Sequence, residues 1–190
     1  MKQHIFPALR LTGTSIVVFC GLYSLVILGF AQIAPNKGEG QTVIVNGSVK
    51  GFALEGQNFT LDKYFNGRPS AAGKGYDASS SSGSNLGPTN PIYLKQVQDR
   101  IDTFLVHNPT VNKAAIPADL ITASGSGLDP DISVQGARVQ VNRVAKVRNL
   151  TSEKVLALVN EHIEMPLFGL FGTEKVNVLK LNIALDELKK

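Results

Sequence analysis

The chain has a single cysteine, Cys20, among its 190 residues. One thiol can neither close an intrachain disulfide nor assemble a cysteine-rich metal site. Whatever folds here is held by packing, and the length suffices for one ordinary domain but hardly for two. Dense basic runs are missing as well. The net charge is +4, but the lysines and arginines are scattered. A nucleic-acid partner is not expected from a chain without a basic patch and interleaved aromatics. The histidines, His4, His107 and His162, show no metal-ligand spacing. His162 reads as a solvated residue on a polar helix face.

Catalytic signatures are absent too. The stretch Gly67-Arg68-Pro69-Ser70-Ala71-Ala72-Gly73-Lys74-Gly75 looks like a phosphate loop at first sight. It has five residues between Gly67 and Gly73 instead of four, and a glycine, Gly75, where the magnesium-binding hydroxyl belongs. Ser124 and Ser126 lie among glycines but outside the frame of a nucleophile elbow. No catalytic constellation is left.

Charge is also missing from every position between Arg10 and Lys37. The centre, Ile16 to Phe30, is apolar apart from small residues and Tyr23. About 20 helical residues at ~1.5 Å each cross the ~30 Å hydrocarbon layer. A cleaved signal would have a shorter apolar stretch ending in a small-x-small site, and Phe30-Ala31-Gln32-Ile33-Ala34-Pro35 fits that poorly. We expect a retained anchor: a stub over 1–10, a transmembrane helix over 11–34, a linker over 35–40 and one domain over 41–190. Lys2 and Arg10 balance Lys37 and Lys50 across the span, so the charge rule is tied. The short stub with its free amine favours a cytoplasmic N-terminus. Gly13, Ser15, Gly21, Ser24 and Gly29 provide small positions where another membrane helix can approach, or ordinary membrane glycine usage.

The domain reads as α/β or α+β, with a small sheet and about three helices. Thr42–Val45 and Val49–Leu54 flank Asn46-Gly47, a hairpin signal. Residues 64–90 are rich in glycine, serine and proline, and so long an irregular segment is either disordered or functional. Asn90-Pro91 marks a helix start, with Leu94, Val97, Ile101, Phe104 and Leu105 at helical spacing up to Asn108-Pro109. Residues 116–122 read as a connector or short strand, followed by a second glycine-rich loop over 123–130. Helices are predicted from about Ser133 to Arg148 and from Thr151 to about Glu164, and a strand over Val176–Asn182. The two glycine-rich loops are either tight turns or surfaces that another backbone approaches closely.

Several motifs resemble one family in order along the whole chain. They are Gly56-Gln57-Asn58-Phe59-Thr60, Tyr64-Phe65-Asn66-Gly67-Arg68-Pro69-Ser70, Ser82 to Pro91, Thr122 to Pro130, Arg143-Val144-Ala145, and Val176 to Asp186. Together they look like the C subunit of the bacterial potassium-transporting P-type ATPase, the Kdp complex. The resemblance implies a non-catalytic accessory subunit of an ATP-driven potassium importer in the bacterial (inner) membrane. Its partners would be a channel-like A subunit, an ATP-hydrolysing B subunit and a small F subunit, besides membrane lipid. It implies a catalytic chaperone that raises the ATP affinity of the B subunit, or alternatively an extracytoplasmic cap on the A subunit without nucleotide contact. No cofactor is implied as firmly bound; ATP would come through the partner ATPase subunit. The nucleotide contact proposed in the family matches Gln140. Candidate subunit contacts are Arg68, Pro69, Ser70, Asn85, Asn90, Ser124, Ser126 and Asp129. Asp77 and Asp129 are also carboxylates that could steer a cation.

Overall fold

The computed structural model describes residues 2–188. The chain divides into two units, Met1–Gln41 and Thr42–Lys190.

The first unit is helical almost throughout. Helix α1 (Lys2–Ser15) passes through a π-helical stretch (Ile16–Leu22) into α2 (Tyr23–Ile33). The helix thus includes most of the sequence expected as a stub. Among the described residues, Gln3–Ile33 is the one helix long and apolar enough to cross a membrane, with a mean hydropathy of 2.3 in its most apolar window. Leu11, Val17, Phe19, Leu22, Leu25 and Phe30 are all exposed along it. Such a surface is stable in lipid and not in water. The helix stops where Ala34 turns extended and Pro35 follows. Asn36, Lys37 and Gly38 then take positive φ in a short 3-10 turn.

The second unit begins with a hairpin of β1 (Thr42–Val45) and β2 (Ser48–Phe52). Asn46 and Gly47 have φ of 51° and 74°, the doubly left-handed turn that an Asn-Gly pair favours. Residues 53–90 then run with only one short 3-10 turn at Ala78–Ser80. Helix α3 (Pro91–His107) starts at the expected cap: the Asn90 side chain accepts from the N–H groups of Ile92 and Tyr93. None of its side chains is fully buried. A second sheet has the order β3 (Asp131–Ser133), β5 (Lys175–Asn177), β4 (Ile163–Glu164), all antiparallel. Helices α4 (Val134–Arg138), α5 (Val141–Arg148), α6 (Ser152–Glu161) and α7 (Val178–Glu187) pack with it. Ile132, Val144, Val155, Val159, Val176, Leu181 and Leu185 form the core, and Phe65 of the irregular segment is fully buried among them.

The mixed fold class agrees with the sequence reading, but three elements differ from it. The helix expected over 133–148 starts one residue later and is broken after Arg138. There the Gln140 side-chain amide donates to the Gly136 carbonyl (2.9 Å), while the Gln140 main-chain N–H goes to Ala137 instead. A side chain inserted into the helical ladder breaks its regular course. The strand expected over 176–182 ends at Asn177, whose side chain accepts from the Lys180 N–H and starts α7. Helix α6 begins at its expected cap, Thr151, but ends at Glu161, and Ile163 joins the sheet. This unit therefore holds five helices among the described residues instead of about three.

Charged side chains lace the sheet edge. Lys175 pairs with Asp131 at 2.5 Å and Lys180 with Glu164 at 2.7 Å, with Lys175 and Glu164 3.8 Å apart. The hydrogen bond from Lys180 holds the Glu164 carboxyl below its ordinary value of 4.5. A depressed folded-state pKa gives stability above 4.5 that is lost as pH falls through the lower folded value. Glu164→Gln should therefore lower stability slightly at neutral pH, where the carboxylate contributes, and flatten the acid limb below pH 4.5 so that the two profiles converge, as followed by thermal unfolding against pH.

Candidate functional site

An irregular segment can be ordered only if its backbone polar groups find partners. Residues 57–70 find theirs mostly in side chains. Asn182 of α7 accepts from the Phe65 N–H at 2.8 Å and donates to the Phe65 carbonyl at 2.9 Å. Gln140 does the same for the next residue, accepting from the Asn66 N–H at 2.8 Å and donating to its carbonyl at 3.2 Å. Two primary amides thus stand where a neighbouring strand would. Asn177 extends the pattern, donating to the Ala53 carbonyl at 2.8 Å.

Arg143 of α5 closes this framework. Its side chain is 3% exposed. Nε donates to Asn108 at 3.0 Å, Nη1 to the carbonyls of Asp62 and Tyr64, and Nη2 to Asn66 and Gln140 at 2.7 Å each. Every N–H of the guanidinium therefore has an acceptor. Burial draws its pKa down, and the Asp62 carboxylate at 3.9 Å opposes this. His107 pairs with the same Asp62 at 2.8 Å. A groove of about 440 Å³ lies beside this pair, between α3 and residues 59–66, with Asp99, Arg100 and Phe104 on its wall.

The two glycine-rich loops are each other's partners. Arg68 pairs with Asp129 at 2.8 Å. Ser70 Oγ donates to the Gly127 carbonyl at 2.7 Å and accepts from the Ala72 and Tyr76 N–H groups. The Ser124 N–H reaches the Pro69 carbonyl, and Ser81 Oγ the Ser126 carbonyl. Glycine is required at 127: φ is +71°, and a Cβ there would stand 2.7 Å from that of Ala72 and 2.8 Å from the Ser82 carbonyl. Both readings of the glycines, tight turns and close approach, hold at this position, and the approaching backbone belongs to the same chain. Beneath the pair, the Tyr76 hydroxyl donates to the Arg68 carbonyl. Burial, with Asp129 adding and Arg68 opposing, pushes that phenol up to about 12.

The candidates named from sequence sort accordingly. Arg68, Ser70, Ser124 and Asp129 hold the two loops together, Pro69 lends its carbonyl to that seam, and Asn90 caps α3. Asn85 and Ser126 lie exposed on the outside. Gln140 has no exposed atom, and both ends of its amide are engaged twice within the fold. Asp129 is paired with Arg68 and partly exposed. Asp77 is exposed and caps the 3-10 turn at Ala78–Ser80. Sequence reasoning missed Arg143 and Asn182 as polar pillars. The available signal was a polar residue on the apolar stripe formed by Val178, Leu181 and Leu185.

This framework spans the stretches that carried the family resemblance, and the comparisons with known proteins agree with it. The family model described as K+-transporting ATPase, c chain, matches residues 5–187. The chain belongs to the KdpC family. A Bacteroides fragilis protein named potassium-transporting ATPase KdpC subunit is 55% identical over 188 residues, covering 98% of each chain. The Phocaeicola vulgatus protein of that name is 55% identical over 190 residues and 100% of each chain. The one from Caulobacter vibrioides is 47% identical over 188 residues, 98% of this chain and 94% of its own. The likeness thus includes the N-terminal span as well as the domain.

Two outcomes follow from the geometry. Arg143→Met removes five hydrogen bonds and strands their buried acceptors, and should cost about 3 kcal/mol or more in urea unfolding of the detergent-solubilised chain. Arg143→Lys keeps the charge but not the planar fork, and should recover only part of that loss. An alkaline absorbance titration should show a tyrosine component near pH 12 that Tyr76→Phe abolishes. Because the folded pKa is raised, the stability that Tyr76 contributes is complete below pH 10 and is lost as pH rises towards 12.

Proposed function

We infer that this chain is the accessory subunit of an ATP-driven potassium importer and carries no catalytic centre of its own. The family match over residues 5–187 is the observation that supports this most strongly. In this reading the N-terminal helix is a single span in the bacterial (inner) membrane, with the N-terminus cytoplasmic and the domain outside. The span packs against membrane helices of partner subunits. Gly13, Gly21 and Gly29 support this, since small residues let another membrane helix approach closely. The domain docks on the channel-like A subunit with the outer face of the paired loops, around Asn85 and Ser126, while the B subunit hydrolyses ATP and the F subunit aids assembly.

Of the two functional readings, the cap without nucleotide contact fits the geometry better. Gln140 is fully buried with its amide satisfied, and the stretch from Gly67 to Gly75 is spent on contacts to residues 124–129. Any effect of this subunit on the ATP affinity of the B subunit is then transmitted through conformational coupling between subunits.

Titration of the full chain in nanodiscs with ATP tests this. No heat is expected up to millimolar nucleotide; saturable heat would restore a direct contact. Protease treatment of intact spheroplasts should cleave the domain and inverted vesicles should shield it. The reverse pattern would put the domain in the cytoplasm.

A further inference from the structure

The loop over residues 165–172, between β4 and β5, has no part in the framework above. Phe168 is 83% exposed and Leu170 80%, and Met165, Leu167 and Phe171 are each about two-thirds exposed. No charged residue falls between Glu164 and Glu174. We propose that this loop inserts shallowly into the bilayer interface, as a second lipid contact besides the N-terminal span.

Three observations favour lipid as the occupant. The first is reach. The helix ends at Ile33 and the first strand begins at Thr42. At no more than about 3.5 Å per residue, this connection keeps the start of the domain within about 30 Å of the helix end. An apolar tip on a domain tethered in this way meets bilayer at high effective concentration.

The second is the backbone. Leu167 and Phe171 exchange N–H and carbonyl bonds at 3.1 and 3.0 Å, the Gly169 N–H reaches the Pro166 carbonyl at 2.8 Å, and the Leu170 N–H the Leu167 carbonyl at 3.1 Å. A turn that pairs four of its own N–H groups enters the interfacial region at lower cost than an open loop, and shallow insertion leaves the carbonyls at its tip within reach of interfacial water. Phe168 and Gly169 hold this closure with φ of 54° and 71°, and the apolar side chains remain outside it.

The third is charge. Glu161, Glu164 and Glu174 stand near Lys175 and Lys180 in sequence, and Lys175 and Lys180 are paired with Asp131 and Glu164. No basic cluster accompanies the loop, so insertion is driven by apolar burial and proceeds on zwitterionic lipid. The proposal rests on Gln3–Ile33 spanning the membrane and is independent of which subunit the domain docks on.

The test uses the full chain in phosphatidylcholine nanodiscs in a Cys20→Ser background. An environment-sensitive nitrobenzoxadiazole label is attached at Phe168→Cys, with Thr110→Cys, an exposed site in the connection after α3, as control. Insertion to the headgroup–acyl boundary predicts blue-shifted emission at 168 and about twofold quenching by lipids doxyl-labelled near that depth, with neither at 110. Leu170→Asp with Phe171→Asp should return the label at 168 to the values of the control. Water-like, unquenched emission at 168 overturns the proposal, as does a blue shift without doxyl quenching. Shielding of 168 that arises only when partner subunits are co-reconstituted also overturns it, and assigns the loop to a protein surface.

Discussion

A guanidinium group buried in a protein is stable only if every one of its N–H donors is met. Arg143 is held under that constraint, and much of the domain follows from it. Its acceptors come from α3's C-terminal cap at Asn108, from the backbone of Asp62 and Tyr64, from the side chain of Asn66 and from Gln140 on its own helical path. The side chain therefore ties the helical half of the domain to a segment with no secondary structure. Gln140 takes part twice, as an acceptor for Arg143 and as the mimic of a strand for Asn66. The break between α4 and α5 is the geometric consequence, since the same amide also takes the Gly136 carbonyl.

With residues 57–66 fixed in this way, the continuation through Gly67 to Ser70 is delivered to residues 124–129. The Arg68–Asp129 pair and the Ser70 hydroxyl then join the two glycine-rich loops into one surface. Of the residues that resemble the family's motifs, many are spent inside the fold: Phe65 in the core, Asn66, Gln140 and Arg143 in the polar framework, Ser124 beneath the loop seam. What these motifs leave exposed includes Asn85 and Ser126, on the outside of that seam.

Legibility from sequence followed the locality of each signal. The Asn46-Gly47 turn, the Asn90-Pro91 helix start and the Thr151 cap are decided within four residues, and all three were readable. The apolar helix was readable because charge is excluded over a long stretch, although its N-terminal end ran further than the charge-free stretch implied. Val176 to Asn182 was not readable as strand then helix. Its β-branched and aliphatic composition suits either state, and the deciding interaction is the Asn177 side chain on the Lys180 N–H. The three-residue strand at Asp131 is too short for periodicity to register, and its pairing partner lies over forty positions away. The polar framework escaped for a related reason: the partners of Arg143 and Asn182 are distant in sequence. The loops were identified as special by composition, but only the structure shows that each is the other's partner.

The central claim is that side-chain amides and one arginine order residues 57–70 as firmly as a sheet would. Amide hydrogen exchange of the full chain in nanodiscs tests it most directly, through the Phe65 and Asn66 N–H groups bonded to Asn182 and Gln140. These two amides should exchange as slowly as those of α5 and α7, despite lying outside any helix or strand. Exchange at the rate of the exposed serines at 79–82 would contradict the account.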